Sequence, residues 1–99
     1  METRFTWDTS KAESNLEKHG ISFETATKAF DDANYVLIRD RVDAKGEQRW
    51  HAIGAVATVV LLVVHVYRKE AHNEEIIRII SARKASQRER RIYLQQAIE

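Results

Sequence analysis

Ninety-nine residues, 43% of them apolar and 31% charged, suit one domain (1–99) with one modest core and argue against a disordered chain. With no cysteine there is no disulfide framework, no thiolate chemistry and no Cys-built zinc site, and the composition suits a reducing cytoplasm. The net charge of +1 is unevenly held: residues 1–44 carry six Lys+Arg against nine Asp+Glu, and residues 45–99 ten against six, which puts the basic surface on the later segments.

The first residues, METRFTWD, are charged and lack an apolar stretch, so no signal peptide is expected. Arg4 to Trp7 reads as a short strand. Asp8 then caps a helix over Thr9 to Lys18, with Gly20 just past its end and Ser10 with Glu13 as an alternative cap. Ser22 caps a second helix, Phe23 to Phe30. Its apolar face is Phe23, Ala26, Ala29 and Phe30, and Ile21 with Ala26 forms a staple across its start. Asp31 to Asn34 ends it. Tyr35 to Arg39 is a strand, Asp43 to Gly46 a turn, and Glu47 to Val56 a second strand. Gly54 to Thr58 must hold a tight reversal. Val59 to Arg68 is the most apolar run and implies burial on both faces. The stretch Ile53 to Val66 is too short for a membrane span. After the polar loop Lys69 to Asn73, a strand starts at Glu74 with β-branched Ile76, Ile77, Ile79 and Ile80, and Ser86 with Glu89 makes a capping box for the last helix. The order β-α-α-β-β-β-β-α predicts an α+β fold with a mostly antiparallel sheet.

Chemistry is expected where the last strands meet. A hairpin centred near residues 71 and 72 places His65 opposite Arg78. A preceding hairpin centred on Val56–Ala57 brings Glu47 and Arg49 beside Tyr67 and His65. The expected cluster is Glu47, Arg49, His65, Tyr67, Arg68 and Arg78, with the register, on which it depends, left open. Such a set suits RNA cleavage, in which the ribose 2′-hydroxyl attacks its own phosphate while a base takes the proton and arginines hold the growing charge. His65 is the natural acid or base. Trp50 offers a stacking surface for a base. Each of these residues also has an ordinary structural role. No cofactor is expected: there is no Gly-rich phosphate loop, and His19, His51, His65 and His72 lack H-x-x-x-H spacing for a metal. On the residues alone, three readings stand: a ribonuclease, a module that only binds a partner, and a structural adaptor. The face Ala85, Ile92 and Leu94 of the last helix is a candidate partner surface.

Trp7-Asp8, Lys11-Ala12, Asn15, Lys18 to Phe23, Ala26, Phe30-x-Asp32, Glu47-x-Arg49-Trp50, Ile53-Gly54, His65 with Arg68, Ile77 to Ala85, Glu89 and Tyr93 resemble the BrnT toxin family over nearly the whole chain. The resemblance implies a RelE-like fold and a cytoplasmic ribonuclease that stops translation within a bacterial type II toxin–antitoxin system. It implies a BrnA-type ribbon-helix-helix antitoxin as partner, RNA as substrate, and operator DNA reached only through the antitoxin. The alternative it leaves is an inactive antitoxin-binding module serving promoter autoregulation. Arg68, Arg78 and Arg83 are then the first functional arginines, with Arg49, Glu47, His65 and Tyr67 next and Trp50, Lys84 and Arg88 as RNA contacts. Two departures from the family pattern are Ala33, where proline is common, and a longer loop from Lys69 to Glu75.

Overall fold

The alternating and β-branched segments all join one sheet in the computed structural model, which describes residues 2–98. The expected single domain also includes Met1 and Glu99, which lie outside the described residues. The elements are β1 (Glu2–Thr6), α1 (Thr9–His19), α2 (Phe23–Thr27), β2 (Val36–Val42), β3 (Gln48–Val56), β4 (Val59–Lys69), β5 (Glu74–Lys84) and α3 (Gln87–Ile98). The architecture is α+β, and the strands lie in the order β1-β5-β4-β3-β2. β1 runs parallel to β5, and every other pairing is antiparallel. The expected order differs in detail, because two single-turn 3₁₀ helices, Lys28–Asp31 and Ala71–Asn73, interrupt it.

The local signals act as their chemistry requires. The Asp8 carboxylate accepts the Lys11 amide at 3.0 Å, which leaves Ser10 out of the cap, and Gly20 closes α1 at φ 71°. Ser22 accepts the Thr25 amide. The helix expected to reach Phe30 tightens after Thr27 into the first 3₁₀ turn. Ser86 and Glu89 complete a reciprocal box: the Glu89 amide donates to Ser86 Oγ at 3.2 Å and the Ser86 amide to the Glu89 carboxylate at 2.7 Å.

Strand alternation divides the sheet into two faces. On one face lie Ala52, Leu61, Val63, Ile77, Ile79 and Ala82, covered by Phe23, Ala26 and Ala29 of α2 and the 3₁₀ turn behind it. Gly54 permits this cover to sit flush, since a Cβ there would lie 2.5 Å from the Ala29 carbonyl oxygen. On the other face Ile53, Leu62 and Arg83 form one cross-strand row, and α3 packs over it against β3. Ile53 and Leu62 are therefore as buried as the core beneath α2, so β4 is buried on both faces as its apolar run predicts.

Both hairpin registers differ by one residue from expectation. The β3–β4 turn is Ala57-Thr58, with Ala57 at φ 55°, so Arg49 pairs with Val66 and Trp50 with His65. His72 and Asn73, both at positive φ, extend the β4–β5 turn, so Arg78 faces Val66 and His65 faces Ile79. A β-bulge then leaves Ile80 without a cross-strand partner between Ile79 and Ser81.

β1 covers the β5 edge only as far as Arg78. Further along, the buried Asn15 side chain of α1 replaces a strand: its amide nitrogen donates to the Ala82 carbonyl at 2.8 Å and its oxygen accepts the Ala82 amide at 3.1 Å. The same nitrogen also donates to the Ile21 carbonyl. Asn15→Ala leaves buried backbone groups unpaired, and we expect it to cost about 3 kcal/mol in urea unfolding. A loss below about 1 kcal/mol would show that water satisfies this edge instead.

Candidate active site

The uncovered part of the α3 face carries the cations. Arg49, Val66, Arg78 and Thr6 form one continuous cross-strand row. Glu47, Arg68 and Ile76 lie alongside it, and together with Thr6, Val66 and Arg78 they line a shallow groove. Each arginine is held by an acid. Arg78 makes a forked pair with Glu47, at 2.6 and 3.5 Å. Arg49 Nε reaches Asp43 at 3.4 Å, and Arg68 Nε reaches Glu70 at 2.8 Å. Asp43 also accepts the Lys45 and Glu47 amides, so one turn residue positions both Glu47 and Arg49. The Glu47 amide is the main reason its carboxyl stays below the ordinary carboxylate range; burial opposes this, and the Lys45 amide and Arg49 add to it. Val66, between Arg49 and Arg78 in this row, is buried.

The register places His65, Tyr67 and Trp50 on the opposite face, so the expected six-residue cluster does not assemble. Odd-numbered positions of β4 pair with even-numbered positions of β3, and His65 and Tyr67 turn toward α2 while Arg49 and Arg78 turn away. His65 is buried, donates from Nδ1 to the Val63 carbonyl at 3.2 Å, and packs edge-on against Phe30. Burial lowers its pKa, the Val63 bond works against this, and the nearby His51 charge lowers it further. His65, Tyr67 and Trp50 line a cavity of about 320 Å³ with Phe30, Tyr35 and Glu75. The Tyr67 hydroxyl donates to Glu75 at 2.9 Å, and this bond leads in raising its pKa. Arg39 lies over the Trp50 ring at 5.4 Å. This cavity is lined by aromatic residues and one acid, whereas Arg49, Arg68 and Arg78 stand on the opposite face.

Arg83 shares the face of Arg78 but serves α3. It makes two bonds to Glu89, at 2.8 and 3.0 Å, and donates to the Lys84 carbonyl. Lys84 pairs with Leu61 at the exposed end of β5, and Arg88 is exposed on α3. A second tie holds the same helix: the Tyr93 hydroxyl donates to Asp32, which also accepts the Ala55 amide. Burial pushes the Asp32 carboxyl up, but the Tyr93 hydroxyl and the Ala55 and Asn34 amides outweigh it and hold the pKa low.

Two residues absent from the expected cluster stand on the arginine face. His51 is two residues beyond Arg49 on β3, in the row His51–Val64–Ser81. Its Nε2 meets the Asp40 carboxylate of β2 at 3.1 Å. Strand alternation from Arg49 would have found His51. Asp40 could not be found that way, because the β2–β3 pairing is irregular between Arg39 and Val42.

The Arg83 pair, helped by the Ser86 amide and opposed by burial, lowers the Glu89 carboxyl from its ordinary 4.5 to about 2. A depressed carboxyl stabilises the fold above its unfolded value and ceases to do so as pH falls through the folded one. The stability gap between the native chain and Glu89→Gln should therefore stay constant above about pH 5 and close between about pH 4.5 and about 2, read from urea midpoints. A gap independent of pH would show that Glu89 acts by packing alone.

Residues 7–89 match the sequence profile of the family described as "Ribonuclease toxin, BrnT, of type II toxin-antitoxin system". A comparison with curated proteins finds no match. The match covers more than four-fifths of the chain, from Trp7 beside the α2 core to Glu89 at the start of α3, and takes in every arginine of the cationic row; the protein belongs to the BrnT family of ribonuclease toxins of type II toxin–antitoxin systems.

Proposed function

We propose that this chain is an endoribonuclease whose scissile phosphate lies on the row Arg49–Val66–Arg78, with Arg68 beside it. The observation that carries this reading is the placement of three arginines on the part of the sheet that α3 leaves open. In this reading the 2′-hydroxyl of RNA attacks the adjacent phosphate without a metal ion. The guanidinium forks bind the phosphate oxygens and stabilise the charge that grows on them. Glu47 holds Arg78 in place before substrate arrives. Glu47 occupies one edge of the Arg78 guanidinium, and with 41% of that side chain accessible its remaining N–H donors are open to a phosphate.

The same reading gives the wider role. The fold is RelE-like, the activity inhibits translation in the cytoplasm, and a BrnA-type ribbon-helix-helix antitoxin neutralises it. Operator DNA is reached only through that antitoxin. The family supports a toxin with an antitoxin partner. Among the described residues no helix is long and apolar enough to cross a membrane.

Arg78→Ala should lower kcat/KM for a single-stranded RNA by about 10²–10³-fold, with the circular dichroism spectrum unchanged. Its induced expression without antitoxin should no longer arrest growth. A folded variant that cleaves as the native chain does would remove Arg78 from the site.

A further inference from the structure

We infer that His51 is the group that takes the 2′-hydroxyl proton and that Asp40 is its positioning residue. The inference rests on the ribonuclease reading and adds the base that reading lacks. Among the residues aligned on the arginine face, the acids are engaged: Glu47 with Arg78 and Asp43 with Arg49 and two amides. His65 is buried on the other side of the sheet. His51 is on the correct face and partly exposed, with 28% of its side chain accessible.

The Asp40 contact fixes its chemistry. A carboxylate accepts, so Nε2 carries the proton in the pair and Nδ1 is left with its lone pair. An imidazole held by a carboxylate at one nitrogen is an oriented base at the other. The spacing suits a nucleotide. His51 and Arg49 are separated by two residues of one strand, about 7 Å, and the β3 and β5 backbones flank β4 at about 10 Å across. A phosphate bridging Arg49 and Arg78 thus lies one nucleoside's reach from His51. The row between His51 and β5 consists of Val64 and Ser81, which are small enough to admit a ribose and carry no competing charge.

The step balances as follows. Nδ1 removes the 2′-hydroxyl proton, the 2′-oxygen bonds to phosphorus, and the bond from phosphorus to the 5′-oxygen breaks. The departing 5′-oxygen takes a proton from water, and the imidazolium returns its own to solvent. One phosphodiester gives a 2′,3′-cyclic phosphate and a 5′-hydroxyl. The charged groups on and beside the row of His51 are Asp40 from β2, Arg49 from β3, and Arg78 and Arg83 from β5, the last paired with Glu89 of α3; Val64 of β4 is uncharged, and His65 lies close enough through the sheet for the two imidazoles to repel.

The test uses the full chain and a short single-stranded oligoribonucleotide, with a 2′-deoxy version as control. His51→Gln should lower kcat by about 10²–10⁴-fold with KM within a few-fold, and the acidic limb of the kcat–pH profile should vanish. Asp40→Asn should lower kcat in the same direction but less. His51→Ala should recover part of its lost rate when free imidazole is added, which a purely structural histidine would not show. A His51→Gln protein with native kcat and pH profile overturns the inference and leaves the ribonuclease reading intact. Loss of rate in His51→Ala without imidazole rescue, with the acidic limb retained in His51→Gln, also overturns it. A native chain that cleaves no RNA, or that cleaves the 2′-deoxy control equally, overturns the ribonuclease reading and this inference with it.

Discussion

The single extra residue in β5 is the constraint on which both faces of this protein depend. Before the bulge, Ile77 and Ile79 face the α2 core and Arg78 faces away. After it, Ala82 faces the core while Ser81 and Arg83 lie on the opposite face, where Arg83 meets Glu89 of α3. An unbroken strand would put Arg78 and Ala82 on one side and Ile79 with Arg83 on the other. A guanidinium would then lie in an apolar core, or the core would lose Ala82 to solvent. The bulge lets one eleven-residue strand supply a core stripe along its whole length and two arginines on the opposite side. Asn15 supports the stretch just beyond it, at Ala82, where β1 no longer reaches.

The acids sort the arginines by task. Arg83 is held in two bonds by a glutamate that itself belongs to a helix cap, so its guanidinium, the cap and the helix direction are one unit. Tyr93 and Asp32 anchor the next turn of that helix to the edge of β3. Arg49, Arg68 and Arg78 are instead held by acids on or next to turns, Asp43, Glu47 and Glu70, at the end of the sheet away from α3. The first arrangement rigidifies the frame. The second holds cations at the open end of the sheet.

The family stretch from Ile77 to Ala85 thus mixes core, frame and site residues within a few positions, and its sequence alone does not separate them. What the sequence made legible was local. Asp8, Gly20, Ser22 and the Ser86–Glu89 box mark their helix ends because each meets its backbone partner within three or four residues. The turn at Asp43 is legible for the same reason. The parallel β1–β5 pairing and the bulge at Ile80 were not, since neither has a local cause. Nor were the left-handed Ala57, His72 and Asn73, none of them glycine, which move both turns by one residue. That shift separated His65 from Arg49 and Arg78 and left His51, which shares the face of Arg49 in any register, as the histidine beside the arginines.

The pairing of β1 with β5 has a consequence for how the protein comes into being. Thr3 bonds Glu75 across 72 positions of chain. Closing a loop of that length is the slow, entropically costly part of folding, and it cannot begin until β5 exists. The cationic row takes Thr6 from β1, Arg49 from β3, Val66 from β4 and Arg78 from β5, so it is complete only when that pairing has closed. The arginine row is therefore a property of the closed sheet, and a chain in which β1 has not yet paired with β5 lacks its Thr6 end.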